Sequence, residues 1–281
     1  MMQRQGLTLV SPAKVNLFLR VTERRNDGYH NLASLFQAID LVDVLHIRLS
    51  DANVITCNTT TVPLDRSNLI VKAVELFSAR TGIPTHVNIH LDKRIPVQAG
   101  LGGGSSNAAT TLWALNDLHG RPVTMPQLMA YALELGSDVP FFLSQGSAYC
   151  TGRGEVLEHL TPLPKQKLWI VKPPEGLPTA DVFRRVNVDA LPKRDPKVSL
   201  KAWLGGKPML FNDLEVAAFD IMPDLEALKE NLRRSGFIDV VMSGSGTAFA
   251  CFGEGEPPFL PGLELYPASF LNRRADSWYQ L

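Results

Sequence analysis

The run Ile95-Pro-Val-Gln-Ala-Gly-Leu-Gly-Gly-Gly-Ser-Ser106 passes directly into the helical-looking Asn107-Ala-Ala-Thr-Thr-Leu-Trp-Ala-Leu-Asn-Asp-Leu118. Glycines at 100, 102, 103 and 104 free the backbone to take positive φ and let several N–H groups converge on one point. Ser105 and Ser106 supply hydroxyls where the helix opens. The first amides of a helix lack intrahelical acceptors and carry partial positive charge, so the junction favours an anion, phosphate above all. Two familiar glycine loops fit poorly. Gly104 is followed by Ser105 and the loop holds no lysine, which excludes a Walker-type loop. Ser105 stands where a dinucleotide fingerprint needs its third glycine, and Lys93-Arg-Ile-Pro96 separates the preceding strand-like run from the loop. A flexible surface loop is the plainer alternative, and the apolar helix that follows at once disfavours it.

Binding by this chain must come from local sites. Lys plus Arg and Asp plus Glu both number 28, so the overall field draws in neither nucleic acid nor an anionic membrane. With 281 residues, 45% of them hydrophobic, the chain is long enough for two domains, each with its own core. Its apolar runs, such as Phe141-Phe-Leu143 and Leu168-Trp-Ile-Val171, are too short to span a bilayer, and no signal-peptide core precedes Lys14. A cytoplasmic location is expected. Cys57, Cys150 and Cys251 are odd in number and far apart, and they read as reduced, buried thiols with no metal role.

Period-two alternation predicts strands around Val15–Val21, Leu45–Leu49 and Val87–Leu91. Helices are expected from Asn68 to Arg80, after the glycine loop up to Gly120, and from Thr124 to Leu135, where Thr124-Met-Pro-Gln127 fits a capping box. Proline and charge between Lys172 and Lys197 predict irregular connecting structure. Beyond it come a helix with Leu225, Leu228 and Leu232 on one face, a strand at Phe237–Val241, a second glycine loop at Ser243-Gly-Ser-Gly246, and a strand at Thr247–Phe252. The expected architecture is α+β with two lobes, residues 1–155 and 156–281.

Several residues could serve chemistry at a phosphate site. Lys14 and Asn16 share one face of a strand entered through Pro12, and could neutralise phosphate and hold a hydroxyl; a solvated edge lysine is the plainer reading. Asp138 follows a helix end and precedes an apolar segment, which suits a proton acceptor and a capping aspartate about equally. Asp27-Gly-Tyr-His30 reads as a tight turn that carries a ring for stacking, Tyr29, and a hydrogen-bonding ring, His30. The other histidines show no ligand spacing.

Pro12-Ala-Lys-Val-Asn-Leu-Phe18, the glycine loop continued to Ala109, and Val241-Met-Ser-Gly-Ser-Gly-Thr-Ala-Phe249 together resemble the three ordered motifs of the GHMP small-molecule kinases. Asp27-Gly-Tyr-His-Asn-Leu32, Asp138-Val-Pro-Phe-Phe142 and Asn212-Asp-Leu-Glu215 resemble the branch of that family whose alcohol substrate carries a cytidine diphosphate group. The resemblance implies an N-terminal lobe like ribosomal protein S5 domain 2, a ferredoxin-like C-terminal lobe, and transfer of the γ-phosphoryl of ATP, with Mg²⁺, to an alcohol. It implies catalysis by Lys14 and Asp138, with Asn16 positioning the acceptor. Pro96, Val97, Gln98, Ala99, Gly100, Leu101, Gly102, Gly103, Gly104, Ser105 and Ser106 would wrap the phosphates, with Asn68 and Lys93 near the nucleoside. Tyr29 and Phe183 would stack on cytosine, His30 would hydrogen-bond to it, and Ser243, Gly244, Ser245 and Gly246 would close over the substrate. Around Phe183 the chain has Thr179-Ala-Asp-Val, where the family more often has a proline after the threonine. Gln98 replaces a residue that is usually small. No metal-ligating side chain is legible, and no protein partner, nucleic acid or membrane is implied. A kinase for another small alcohol and a non-catalytic nucleotide-binding homologue are the alternative readings.

Overall fold

A computed structural model describes residues 6–281. Two long strands, β1 (Leu7–Arg24) and β2 (His30–Leu49), form an antiparallel hairpin that organises the molecule. Its tip closes because Gly28 takes φ 85° and the Asp27 carboxylate accepts the Tyr29 amide at 3.1 Å. Register shifts at Pro12/Ala13 and Asn16/Phe18 flank Lys14 and Asn16, so the strand is irregular at the two side chains that matter most. The alternation in β1 does not separate a wet face from a dry one. Phe18 and Asn16 are as buried as Val15 and Leu17, because the second lobe covers the other face.

Next come β3 (Val54–Cys57), α1 (Leu69–Thr81), β4 (Val87–Asp92), α2 (Gly103–Leu118), α3 (Met125–Leu135) and α4 (Val139–Phe142). The local signals explain their ends. Asn68 caps α1 by accepting the Ile70 amide at 2.8 Å, Gly82 ends it at φ 69°, and Thr124 and Gln127 form the capping box of α3. The apolar run after Asp138 is a single helical turn, entered through Pro140 where the missing N–H costs no hydrogen bond. β5 (Ser147–Thr151) and β6 (Val156–His159) complete this part of the chain. With β8 (Phe211–Asn212), reached later, they make a seven-stranded mixed sheet whose main path is β3-β4-β2-β1-β8. α1, α2, α3 and α4 pack on it around Phe77, Leu112, Leu115 and Phe141.

β7 (Lys167–Lys172) opens the second sheet, so the chain passes from one sheet to the other between His159 and Lys167. The stretch expected to be irregular, 172–197, instead contains α5 (Thr179–Arg185), a short 3₁₀ turn at Val188–Ala190, and the start of α6 (Pro196–Leu204). Its prolines do not break these helices: Pro178 precedes α5 and Pro196 is the first residue of α6, positions whose N–H would have no helical acceptor anyway. After β8 come α7 (Leu214–Ile221), α8 (Asp224–Arg234), β9 (Asp239–Met242), β10 (Phe249–Phe252) and β11 (Glu264–Ser269). The four strands pair antiparallel in the order β11-β7-β10-β9. Leu225, Leu228 and Leu232 of α8 join a cluster beneath them, as the spacing predicts.

A third cluster, with Val15, Leu17 and Phe18 from β1 and Ile170, Val241 and Ala250 from the second sheet, fuses the lobes. The tail then returns to the first lobe, where Trp278 Nε1 donates to the Val10 carbonyl at 2.7 Å.

Candidate active site

Five segments converge at the seam between the sheets. β1 brings Lys14, whose Nζ donates to Asn16 Oδ1 at 2.7 Å and lies 3.8 Å from Asp138 Oδ2. The Lys14 ammonium also lies 4.7 Å from the centre of the Phe36 ring. Burial lowers its proton affinity below that of an ordinary lysine, and the Asp138 carboxylate offsets part of that effect. Asp138 precedes α4 but makes no capping bond, and its side chain keeps 35% of its surface exposed. Of its two sequence readings, the structure gives no geometry for the cap and leaves the carboxylate open beside a buried cation.

The glycine loop lies directly over Lys14. Gln98, Gly100 and Gly102 take positive φ, of 52°, 74° and 71°. A Cβ at Gly102 would lie 2.8 Å from the Phe142 ring and 3.1 Å from Lys14 Cγ, so the loop can settle here only as glycine. The Lys14 amide donates to the Leu101 carbonyl at 2.9 Å, which ties strand to loop. α2 starts at Gly103, and among the described residues the amides of Gly103, Gly104 and Ser105 find no acceptor in the protein. Free donors at a helix start are the arrangement that an anion cradle needs. Gln98 tolerates its left-handed backbone with its side chain packed against Gly176.

The second glycine loop completes the enclosure. The Gly244 amide donates to Asn16 Oδ1 at 2.9 Å, and Asn212 Nδ2 donates to the carbonyls of Met242 and Gly244, each at 2.7 Å. Asn16 Nδ2 donates to Ser34 Oγ at 2.8 Å, so this amide side chain is fixed from both ends. Asn212, picked out by its motif alone, thus shapes the loop that orients Asn16.

At the far end of the seam, His30 is buried with both ring nitrogens unpartnered, 5.6 Å from the Phe183 ring between centroids. Tyr29 stands 58% exposed at the hairpin tip. Phe183 lies on α5, whose first residue, Thr179, shares a 2.8 Å hydroxyl contact with Ser245, so the aromatic end and the second glycine loop are linked. Arg153, which no sequence signal separated from other surface arginines, lies with its guanidinium 5.1 Å from the centre of the Tyr29 ring. It sits in the β5–β6 turn beside Gly154, which packs against Asp138. The trace in the sequence is the Gly152-Arg-Gly154 turn.

Two expected nucleotide contacts are already engaged within the protein. Asn68 caps α1 and donates to the Pro63 carbonyl at 2.7 Å. The Lys93 ammonium pairs with buried Asp43 at 3.0 Å. Cys150 lies near enough to Lys14 and Asp138 to feel both charges, but burial pushes its thiol well up and keeps it neutral. Among the described residues no cluster of three or more His, Cys, Asp or Glu could hold a metal, and no helix is long and apolar enough to cross a membrane.

A glycine cradle at a helix start, with a lysine–aspartate pair beneath it between two fused lobes, defines a GHMP-type small-molecule kinase. The family model for the GHMP kinases N terminal domain matches residues 68–146. A 4-diphosphocytidyl-2-C-methyl-D-erythritol kinase of Protochlamydia amoebophila (strain UWE25) is 49% identical, over 98% of this chain and 93% of the relative. The chloroplastic enzyme of that name from Mentha piperita is 45% identical, over 97% of this chain and 72% of the relative. A crystal structure of 4-(cytidine 5'-diphospho)-2C-methyl-D-erythritol kinase superposes with TM-score 0.79 at 36% identity, over 94% of this chain and 98% of the other. The chain belongs to the 4-diphosphocytidyl-2-C-methyl-D-erythritol kinase family. Homoserine kinase from Cytophaga hutchinsonii shares the fold, with TM-score 0.69 at 18% identity.

Proposed function

We propose that this protein transfers the γ-phosphoryl of ATP to the 2-hydroxyl of 4-diphosphocytidyl-2-C-methyl-D-erythritol, a step in making isoprenoid precursors. The observation that carries the reading is the 3.8 Å pair of Lys14 and Asp138 beneath the free amides of the glycine loop. In this reading the acceptor oxygen lies between the two charges. Asp138 takes the hydroxyl proton as the oxygen bonds to γ-phosphorus, and the bridging P–O bond breaks to release ADP. Lys14 offsets charge on the transferring group. Phosphoryl transfer through a loose transition state needs placement and charge neutralisation more than covalent chemistry, and this site is built to supply both.

The aromatic end supports this choice of acceptor. His30, with two free ring nitrogens beside Phe183 and next to Tyr29 in the chain, suits a flat heterocycle with hydrogen-bonding edges such as cytosine. Ser243, Gly244, Ser245 and Gly246 close over the polyol, with Asn16 beside the hydroxyl. The proposal also carries a cytoplasmic location, which cell fractionation checks.

The residues present fit Mg²⁺. Ser106 Oγ, buried at the start of α2, has no partner in the protein, and a hydroxyl suits a hard cation that draws its other ligands from phosphate and water. Ser106, with Ser105 beside it, would hold the ion, and the ion would offset the charge of the phosphates.

Asp138→Asn tests the assignment. Turnover should fall by about 10²- to 10⁴-fold, the usual contribution of a positioned proton acceptor, while ATP affinity stays within about twofold. Loss of ATP binding with turnover retained at saturating ATP would reduce Asp138 to a structural role.

A further inference from the structure

Asp43 is a buried acid that no motif singled out, and it lies directly behind the phosphate loop. It sits on β2 opposite Ser11, fully buried. One oxygen, Oδ1, accepts the backbone amides of Arg94 at 2.7 Å and Ile95 at 2.8 Å, the residues that lead into the loop. The carboxylate also pairs with the Lys93 ammonium, 3.0 Å from Oδ2 and 3.2 Å from Oδ1. Lys93 Nζ donates in addition to the Ile95 carbonyl. The ammonium is therefore held inside the turn it belongs to and has little left to offer a nucleoside.

Its other neighbour is the start of α2. A Cβ placed on Gly103 would lie 3.3 Å from Lys93 Nζ and 3.2 Å from Ile95 Cγ2. A cation thus rests against the positive end of the helix whose free amides form the cradle. The Asp43 carboxylate, paired with that ammonium, offsets its repulsion from the helix start. The segment from Pro96 to Ser106 carries no charge of its own, so the Lys93–Asp43 pair contributes to its field together with Lys14 and Asp138. An asparagine at 43 could still accept the Arg94 and Ile95 amides with its oxygen, but it would turn an NH2 donor toward Lys93 and leave the ammonium unpaired under the cradle.

We propose that Asp43, acting through Lys93 and the amides of Arg94 and Ile95, is a positioning residue for the phosphate loop, and that Lys93 serves ATP through this pair without touching the nucleoside. The inference rests on the reading of residues 96–106 as the ATP cradle. It has a signature that a merely structural role lacks, because only nucleotides with a full phosphate chain should sense it.

Calorimetric titration of ATP and of AMP into the unaltered protein, Asp43→Asn, Lys93→Met and the double variant provides the test, with thermal melts to establish folding. ATP affinity should fall at least tenfold in Asp43→Asn, and KM for ATP should rise to match. AMP affinity and KM for the alcohol should stay within twofold. The double variant should recover part of the loss, since it no longer buries a lone ammonium. If Asp43→Asn does not fold, the double variant carries the same ATP-against-AMP comparison. Equal losses for ATP and AMP, or an undiminished ATP affinity, would overturn the inference. Failure of the unaltered protein to bind ATP at all would instead overturn the functional reading beneath it.

Discussion

Gly100 and Ser243 are in backbone contact: a Cβ on Gly100 would overlap the Ser243 carbonyl oxygen, while Ser243 Oγ donates to the Gly100 carbonyl at 3.0 Å. The Ala248 amide adds a bond to the Ala99 carbonyl at 3.2 Å. The two glycine loops are thus one interlocked body, although they come from different lobes. In the proposed reading the two loops give nucleotide and acceptor a shared frame, so a change at the contact should disturb both.

Gly100→Ala should therefore cost about 3 kcal/mol of stability, from the overlap together with a left-handed φ of 74°. Gly120→Ala is the control, since Gly120 has φ 78° but nothing within 4 Å of its would-be Cβ. It should cost only about 1 kcal/mol. Urea denaturation measures both, and equal costs would show that the loop contact contributes little.

The alkaline limit of activity should follow Lys14. Burial lowers its pKa from the ordinary 10.5, with Asp138 offsetting part of the shift, and the charged form is the useful one. The alkaline limb of kcat/KM should thus lie below the range of a surface lysine. Between the folded and unfolded pKa values the unfolded chain binds more protons, so this group's contribution to stability rises with pH there. An alkaline limb lying as high as that of an ordinary lysine would contradict the assignment.

His30 should set an acidic limit on acceptor binding. Burial, with a smaller effect from Arg24, lowers its pKa from 6.5, so the ring is neutral near pH 7. KM for the acceptor should stay flat as pH falls to 6.5 and rise only on further acidification. The unfolded chain takes up the proton first, so stability from this group is lost as pH drops below 6.5. His30→Ala should raise the acceptor KM about tenfold, the effect of one lost hydrogen bond in a buried site, and leave KM for ATP unchanged. Equal effects on both values would move His30 out of the acceptor site.

Arg273 ties the tail to the segment bearing Asp138. Its guanidinium donates to the carbonyls of Ser144 at 2.7 Å and Ser277 at 2.8 Å, and also to Leu143, the residue that ends α4. Arg273→Lys cannot reproduce this planar fork, and should lower Tm by roughly 6–12 °C if about 3 kcal/mol is lost. It should lower kcat as well, because the turn that places Asp138 is loosened. A normal Tm with reduced kcat would show that the tail acts on the site alone.

Much of this was legible locally. The Asp27-Gly28 turn, the Asn68 and Gly82 ends of α1, the Thr124 capping box and the glycine cradle rest on short-range backbone chemistry, which sequence exposes directly. What escaped depends on distant partners. Asp43 is one of two acids in a mostly apolar strand until the fold brings Lys93 and the Ile95 amide to it. Trp278 meets Val10 across 268 residues, so nothing near the C-terminus signals that contact. The resemblance places Asn68 and Lys93 near the nucleoside, and the fold adds that the Lys93 ammonium is held in an ion pair with Asp43. α5 and α6 were hidden because proline count, without position, says nothing of where a helix tolerates proline.

Labelled phosphate transfer from ATP, followed across a panel of alcohols, tests the central claim most directly. Product should form on 4-diphosphocytidyl-2-C-methyl-D-erythritol at least about 10³-fold more efficiently than on mevalonate or homoserine, as a site with buried groups awaiting cytosine requires. Transfer to mevalonate or homoserine with none to the cytidyl compound would contradict it.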